Sequence, residues 1–491
     1  MDDKAIREHV DEIYAKTKRE FDRLNVESLE KDGVYKGKSG WSINYPGTVY
    51  LDLYDQRKKI YAPEHIPNLY ISLPFCSRRC SFCTIISDIS IKEREEYFKA
   101  IFKEMEFYKR DKKIKVNFID LGGGTASMLT PTELDNLLYK IRECFDIGEE
   151  PKICFEAHPE LARQENRFEL LHIAKKHRIP NIAFGVQTFD DSLLKRLNRG
   201  HDVNDVWKAV SLSKKFLPSF SIDLMCGLEG QSMESIKKTI IETIKVDPGA
   251  IDLYTYVNSH RSIDKVSKNR DTLLMIMFLL NALSQYGWYP HRISASVILF
   301  KKVKDMESTM NALEGMGEFG DMNLLGIGNG AFSFNRRYHS ASPYDIRKYM
   351  DNVKRNGIGF SLYSEKGEDD FFYNYIKDSL RRYSYLDIKK IDKRFNMDFR
   401  RSYAKILDKL RTLGLITLRP SEDNLRLTKL GFIYEDKVSS FFFPEKHFRD
   451  YFALEQKVKN SHLAGFYEEI CNSPFNFELT PEIHDFIKKN N

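Results

Sequence analysis

The sequence predicts an α/β fold: a partial (β/α)6 barrel with an N-terminal extension and a mainly helical, winged-helix-like C-terminal domain. Three observations support this prediction. Between residues 69 and 286, short apolar runs alternate with amphipathic segments of helical period. Six strand–helix units in series imply a parallel sheet with helices outside it. Near the end of the chain, a helical segment precedes two short strand-like runs around a turn.

The barrel strands are predicted from runs rich in β-branched and aromatic residues, namely Leu69–Leu73, Val116–Leu121, Ile153–Glu156, Ile182–Val186, Ser221–Met225 and Ile251–Val257. The barrel helices are predicted at Lys92–Lys109, Pro131–Phe145, Arg167–Lys176, Val203–Lys215, Met233–Lys245 and Ile263–Tyr286. The second helix has the sequence of a capping box, with Thr130 as the cap, Pro131 at the first helical position and Glu133 as the reciprocal partner.

Four regions follow from this pattern. We predict that residues 1–66 form a charged helix and a lid segment with an aromatic stretch from Gly40 to Gly47, and that residues 67–300 form the barrel core. Residues 301–375 are a connector or core extension, and residues 376–491 form the C-terminal domain. In that domain we predict a helix at Phe399–Leu413 and strands at Ile416–Arg419 and Leu425–Leu427, which is a winged-helix outline.

Composition excludes several classes of protein. Hydrophobic residues make up 42% of the 491 residues, which excludes wholesale disorder. No apolar run reaches the roughly 18 residues that a membrane helix needs, and the charged start lacks an apolar signal region, so we expect a cytoplasmic protein without a membrane partner. The net charge of +6 is concentrated at residues 381–437, which carry 15 Lys and Arg against 8 Asp and Glu.

The cysteines indicate a metal site. Three of the seven, Cys76, Cys80 and Cys83, have the spacing CxxxCxxC directly after the first predicted strand. A closed zinc site needs a fourth ligand, usually from a second Cys or His pair, and the sequence has no second pair of that kind. Three thiolates on a four-iron cluster would leave one iron open to a ligand. We expect the other four cysteines to be buried core residues.

This motif, after a first barrel strand, resembles that of the radical SAM enzymes, in particular the oxygen-independent coproporphyrinogen III oxidases and their relatives, which include class C methyltransferases. Supporting segments include YISLPFC, FIDLGGGTAS, CFEAHPE, SIDLMCGLEGQ and LLGIGNGAFSF. The resemblance implies an oxygen-sensitive enzyme with a [4Fe–4S] cluster on the three cysteines. It also implies S-adenosylmethionine as cofactor, cleaved to a 5′-deoxyadenosyl radical, and an electron donor such as flavodoxin or ferredoxin.

The resemblance also implies a set of cofactor contacts at the ends of the strands. The residues expected to contact S-adenosylmethionine are Tyr70, Phe82, Gly123, Gly124, Thr125, Glu156, Gln187, Arg199, Asp223 and Val257. The resemblance implies that two molecules bind, as in relatives of this branch, and that Phe82, the glycine turn and Val257 serve the second. The candidate catalytic residues are Tyr70, Tyr254 and Tyr256. Tyr254 and Tyr256 would line the wall of the substrate site, and a role in packing alone is an equal alternative for both.

Four positions depart from the oxidase pattern. Ile85 stands where the oxidases have a further Cys, and Ser72 where they have a His. Cys226 replaces a Tyr and Glu229 a Pro in the turn after the fifth strand. Because the cluster and cofactor positions are kept and the substrate side differs, the pattern favours C-methylation or a related carbon–carbon bond formation. Oxidative decarboxylation of coproporphyrinogen III and a heme-chaperone role are the alternatives.

The basic C-terminal domain has two interpretations. A basic winged helix is an electrostatic footprint of nucleic-acid binding. The family has a domain of the same outline that supports the active site, so we expect no nucleic acid there. We expect instead a monomer that acts on a small molecule, anionic or a tetrapyrrole.

Overall fold

A computed structural model of the protein describes residues 2–24, 52–53, 65–83, 93–109, 113–163, 168–255, 269–294, 297–303, 324–334, 338–365, 368–419 and 422–443. Among these residues, the large sheet contains fourteen strands: β1 (Asp52–Leu53), β2 (His65–Leu73), β3 (Ile114–Gly123), β4 (Phe145–Asp146), β5 (Lys152–Ala157), β6 (Asn181–Gln187), β7 (Ser219–Cys226), β8 (Ala250–Thr255), β9 (Trp288–Ser294), β10 (Val297–Lys302), β11 (Leu324–Ile327), β12 (Phe332–Phe334), β13 (Tyr338–Ala341) and β14 (Leu362–Glu365).

The helices that accompany this sheet are α1 (Asp3–Asp22), α2 (Arg94–Tyr108), α3 (Pro131–Cys144), α4 (Phe168–Lys176), α5 (Asp191–Arg196), α6 (Val203–Phe216), α7 (Met233–Val246), α8 (Asn269–Gln285) and α9 (Ile346–Asn356). Five of the six predicted barrel helices match within two residues. The sixth, α8, is described only from Asn269, so its predicted start lies outside the described residues. Helix α5 was not predicted. The capping box is confirmed, with both of its hydrogen bonds present at Thr130 and Glu133.

The six predicted barrel strands form one continuous parallel array in the order β2, β3, β5, β6, β7 and β8. The sheet continues beyond this array on both sides. Strand β11 pairs in parallel with β2, and the antiparallel hairpin of β9 and β10 extends the sheet from β8. Among the described strands the sheet stays open, which agrees with a partial barrel.

The region that we predicted as a connector, residues 301–375, contributes strands to the sheet. Strands β11 to β14 form its far side, and β1 joins β14. These strands span only three or four residues each, which is too short for a clear alternation of apolar and polar residues. The core extension is therefore part of the barrel sheet itself.

The C-terminal domain has the predicted winged-helix outline. Its elements are α10 (Glu368–Tyr383), β15 (Tyr385–Asp387), α11 (Ile388–Phe395), α12 (Phe399–Ser402), α13 (Ala404–Thr412), β16 (Ile416–Thr417), β17 (Asn424–Leu427), α14 (Lys429–Ile433) and α15 (Glu435–Ser440). The helix predicted at Phe399–Leu413 was wrong as a single element, because Tyr403 leaves the helical conformation and divides it. Strand β15 adds a third strand to the predicted hairpin.

The C-terminal domain packs against the barrel. Leu273, Leu274 and Met277 of α8 share its core, together with Phe21 of α1. Helix α1 lies along α8, and Asn281 donates a 2.8 Å hydrogen bond to Thr17. Within the described residues, no helix combines the length and apolar character needed to cross a bilayer.

Candidate active site

The three motif cysteines lie on the loop that leaves β2, and each is partly exposed. Two contacts reach their sulfurs from elements far along the chain. Thr125 Oγ1 lies 3.3 Å from Cys76 Sγ, and Arg199 Nη1 donates a 3.3 Å hydrogen bond to Cys80 Sγ. Hydrogen bonds to ligand sulfurs are one way in which proteins tune iron–sulfur clusters. The loop therefore presents its thiols toward the glycine turn after β3 and toward Arg199.

The two arginines between the cysteines help to hold this loop. Arg78 forms a 3.1 Å ion pair with Glu160, and Ser77 donates to the other oxygen of that carboxylate at 3.1 Å. Asn198 donates a 2.8 Å hydrogen bond to the carbonyl of Arg79. The loop is thus anchored to the segments after β5 and α5. Glu160 was not singled out from the sequence, where its surface-like context gave no signal.

The donor set fits a multi-iron cluster better than a single metal ion. Within the described part of the chain, no three His, Cys, Asp or Glu side chains converge closely enough to hold one ion. Each thiolate of a [4Fe–4S] cluster binds a different iron, so its three sulfurs need not converge on one point. Three partly exposed thiols on one loop meet that requirement, and a structural zinc site does not fit here.

The glycine turn after β3 lies directly behind this loop. Gly123 has φ +101°, and a Cβ there would lie 2.9 Å from Ser72 Oγ and 3.2 Å from Tyr70 Oη. Only glycine combines that backbone conformation with such close neighbours. The amide of Gly124 donates to the carbonyl of Leu73 at 2.9 Å, and that of Thr125 to the carbonyl of Phe75 at 2.8 Å. The turn is fixed against the cysteine loop.

Three predicted cofactor residues gather over Gly185. A Cβ at this glycine would lie 3.0 Å from Gln187 Nε2, 3.1 Å from Arg199 Nη2 and 3.9 Å from Asp223 Oδ2. Gln187 ends β6 with φ +71°, an unusual backbone conformation for a residue with a side chain. Arg199 also donates to the carbonyl of Gly185, and its Nε is buried without a hydrogen-bond partner. A buried donor without a partner is costly, so this one marks a place for a ligand acceptor.

Four carboxylates line the same face of the sheet: Asp120, Glu156, Asp223 and Asp252. Burial, reinforced by the neighbouring carboxylates, raises the pKa of Glu156 and Asp223 well above the usual values. Burial also raises the pKa of Asp120 to about 7, with Asp252 adding to the effect, and that of Asp252 to about 6. Because one oxygen of Asp120 is buried without a partner, this interior is built to receive positive charge or hydrogen-bond donors.

Asp120 and Asp252 were missed in the sequence analysis, although a signal was present. Each is a charged residue between two apolar ones on a strand otherwise expected to be buried, in FIDL and AIDLY. Residues that alternate along a strand point to opposite faces. Ile119, Leu121, Ile251 and Leu253 are buried under the helices, so the aspartates must face the interior.

The aromatic residues that we predicted for this site divide into two groups. Phe82 and Tyr254 pack against the same small apolar cluster, formed by Leu193, Leu197, Met225 and Leu228, and the Arg199 guanidinium lies 5.9 Å from the Phe82 ring centroid. Tyr70 is held inside the sheet, where burial raises its pKa well above 10. Tyr256 and Val257 lie outside the described residues, as do Ile85 and Cys471.

The remaining cysteines largely match the expected core role. Cys144 and Cys226 are fully buried, and burial raises the pKa of the Cys226 thiol to about 12. Cys154 is partly exposed, since it lies on the interior face beside Asp120, and Asn181 donates to its sulfur at 3.5 Å. His158 and His201 form a further buried pair at 3.4 Å, and burial keeps the pKa of both below the usual value.

Comparison with known proteins agrees with this geometry. Residues 70–242 match the model of the Radical SAM superfamily. The heme chaperone HemW of Buchnera aphidicola is 31% identical over 193 residues, which cover 38% of this chain and only half of that relative. The oxygen-independent coproporphyrinogen III oxidase of Helicobacter pylori is 24% identical over 385 residues, or 74% of this chain and 83% of the relative.

Among solved structures, the coproporphyrinogen III oxidase of Escherichia coli matches 82% of this chain and 99% of its own, with a TM-score of 0.68 and 19% identity. That likeness supports the mixed α/β fold with its parallel sheet. The match to this superfamily implies a [4Fe–4S] cluster and S-adenosylmethionine. The cysteine loop, the glycine turn and the residues over Gly185 fit both groups. Residues 70–242 thus resemble the Radical SAM superfamily, and the relatives that match over most of the chain are similar to the coproporphyrinogen III oxidase-like branch.

Proposed function

We propose that this protein cleaves S-adenosylmethionine reductively and uses the resulting 5′-deoxyadenosyl radical to abstract hydrogen from a tetrapyrrole-type small molecule. The observation that carries the proposal is the contact of Arg199 with both Cys80 and Gly185. This contact joins the cysteine loop to the polar residues over Gly185 in one site. Relatives named for coproporphyrinogen oxidation and heme handling support a tetrapyrrole as the substrate class.

The charge of each residue indicates which group of the cluster or cofactor it would bind. When bound, the cluster supplies the electron for cleavage of S-adenosylmethionine. We assign the cluster to Cys76, Cys80 and Cys83. The buried Nε of Arg199 can donate a hydrogen bond to a ligand, and the planar guanidinium suits the cofactor carboxylate. Glu156 and Asp223, which lack an ion-pair partner among the described residues, suit its amine and ribose hydroxyls. The glycine turn lets the ligand approach the backbone.

The interior also shields reactive intermediates. Phe82 and Tyr254 close one side of the site with an apolar wall. Exclusion of water from an active site prevents side reactions of reactive intermediates. A substrate held against this wall would meet the radical before solvent does. We keep Tyr70 and Tyr254 as candidate catalytic residues, and a second S-adenosylmethionine as a further proposal.

C-methylation remains a second candidate reaction. The named relatives are oxidases or heme chaperones and give it no support. It is favoured only by the departures from the oxidase pattern. Two of those lie in the described interior: Ser72 and Cys226 are both buried, and Ser72 Oγ lies close to the Gly123 turn. A Ser in place of a His there changes the groups available to a substrate.

The test is an anaerobic assay of reconstituted protein with coproporphyrinogen III and a chemical reductant. Formation of 5′-deoxyadenosine with carbon dioxide, and without S-adenosylhomocysteine, supports oxidative decarboxylation. Formation of S-adenosylhomocysteine together with 5′-deoxyadenosine supports methyl transfer. If no 5′-deoxyadenosine forms with or without this substrate, the proposed function is wrong.

A further inference from the structure

Arg292 on β9 is a charged residue that the site described above does not use. Arg292 pairs with Leu299 of β10 across the hairpin, and Leu299 pairs with Asp252 of β8. Asp252 pairs in turn with Asp223 of β7. Directly paired residues on neighbouring strands point to the same face of a sheet. Arg292 therefore lies on the same interior face as the four carboxylates, roughly 10 Å in strand spacing from Asp252.

The guanidinium of Arg292 is partly buried. Within the described residues, no hydrogen bond or ion pair joins it to another group. Burial lowers its pKa to about 10, and the positive charges of Arg382 and Arg381 act in the same direction. The negative charges of Asp378 and Asp252 act in the opposite direction on the pKa of Arg292, and neither forms an ion pair with it. A partly buried guanidinium with no ion pair among the described residues has lost some of its hydration, and a bound anion would offset that cost.

The charges around Arg292 continue into the C-terminal domain. Arg382 and Arg381 belong to α10, which begins that domain. Arg381 is committed to Glu435 at 3.1 Å, whereas no ion pair or hydrogen bond is formed by Arg382 among the described residues. The positive field at Arg292 is thus produced jointly by β9 and α10. Arg382 and Arg381 are thus the cations of the basic domain that act on Arg292.

We propose that Arg292, supported by the field of Arg382, binds a carboxylate of the substrate at the β9 edge of the interior. The inference rests on the proposed function for the identity of the substrate, but the guanidinium site itself does not depend on radical chemistry. A planar guanidinium binds a carboxylate through two parallel hydrogen bonds, which also orients the ligand. The substrate would then extend from the Arg199 end of the site toward the C-terminal domain.

The test measures binding rather than turnover. Coproporphyrin III, which carries four carboxylates, and its tetramethyl ester are titrated into the full-length protein under anaerobic conditions, with fluorescence as the readout. We expect the acid to bind more tightly than the ester. Arg292→Gln should weaken binding of the acid roughly 10- to 100-fold. Arg292→Lys should recover part of the affinity, since it keeps the charge and loses the fork.

Lys405→Gln is the control for general positive charge, because Lys405 is an exposed cation of the C-terminal domain with no ion pair or hydrogen bond among the described residues. It should leave binding unchanged. Equal affinity of the acid for wild-type and Arg292→Gln, equal affinity of acid and ester, or no binding of either would overturn the inference. S-Adenosylmethionine is titrated in parallel. If Arg292→Gln weakens its binding and spares coproporphyrin III, the carboxylate is that of the cofactor and the assignment to substrate is wrong. Absence of 5′-deoxyadenosine formation by wild-type protein would refute the proposed function and leave this binding result standing.

Discussion

Two regions of this protein contain buried carboxylates, and the two regions differ in the hydrogen bonds that these carboxylates accept. Behind β2, Glu104 accepts a 2.6 Å hydrogen bond from the hydroxyl of Tyr349 and further bonds from the amides of Gly359 and Gly328. On the interior face, Asp120 keeps a buried oxygen without a partner. Both carboxyls have a pKa of about 7, raised chiefly by burial. Only the first has its hydrogen-bond acceptors satisfied by the protein.

This difference separates structural from functional polar groups. The network around Glu104 reaches the strand that carries the cysteine loop through a ring contact, because the Tyr349 ring lies 5.5 Å from that of Tyr97. The Tyr97 hydroxyl is within hydrogen-bond distance of two acceptors, the carbonyl of Ser72 at 2.9 Å and Asn329 Oδ1 at 2.8 Å. A satisfied buried network rigidifies its surroundings. On the interior face, by contrast, one oxygen of Asp120 and the Nε of Arg199 are buried without a hydrogen-bond partner among the described residues, as expected of groups that bind ligands.

The largest expected effect concerns the cysteine loop. Cys80→Ala should remove most of the iron and the visible absorbance of anaerobically reconstituted protein, because it deletes one of three thiolate ligands. Iron content and absorbance are the measurements. Cys144→Ala, which removes a buried cysteine at the end of α3, is the control and should retain its iron. An unchanged cluster spectrum in Cys80→Ala would contradict the cluster assignment.

The next effect concerns the cofactor. Arg199→Gln should weaken S-adenosylmethionine binding by roughly 10- to 100-fold, because a charge-assisted hydrogen bond is lost in a sheltered site. Equilibrium binding to reconstituted protein is the measurement. Arg196→Gln, three residues earlier and exposed, should bind as the wild type does. Equal losses in both variants would mean that general charge, and not the position of Arg199, attracts the cofactor.

A smaller effect tests the satisfied network. Tyr349→Phe should destabilise the protein by about 1–3 kcal/mol, because the Glu104 carboxyl loses a hydrogen bond in a fully buried site. Denaturant unfolding measures the change. Tyr139→Phe removes a hydroxyl from an aromatic ring that is 53% exposed and should change stability by less than about 0.5 kcal/mol. If Tyr349→Phe is equally neutral, the network is not structural.

On the interior face, removal of a buried polar group is expected to stabilise the protein rather than destabilise it. The folded pKa of Asp120 is raised to about 7 from an unfolded value near 3.8, so wild-type stability falls as pH rises through that window. Asp120→Asn removes this penalty and should stabilise the unliganded protein by roughly 1–3 kcal/mol at pH 8, with the gain vanishing near pH 4.

Unfolding of both proteins at several pH values measures this gain. Asp351→Asn changes an exposed carboxylate of α9 and serves as the control, with no comparable pH-dependent gain. A gain that is independent of pH, or a loss at pH 8, would show that Asp120 is structural, like Glu104.

The sequence predicted the parallel array and its loops because periodicity and capping are local properties. The CxxxCxxC spacing is also local, and it predicts Cys76, Cys80 and Cys83 as the cluster ligands without a structure. Local patterns could not show that Arg292 shares a face with Asp223, since that follows from pairing across four strands. Nor could they show that Glu160 anchors the cysteine loop, because the two are 82 residues apart. The rest of the site depends on strand pairing and contacts between residues that are distant in the sequence.

The central claim is tested most directly by one measurement, the yield of 5′-deoxyadenosine from S-adenosylmethionine under reducing, anaerobic conditions. Reconstituted wild-type protein should form 5′-deoxyadenosine in proportion to its cluster content, and Cys80→Ala should form none above the reductant background. Equal yields from the two proteins, or no product from a wild-type protein with a full cluster, would contradict the account.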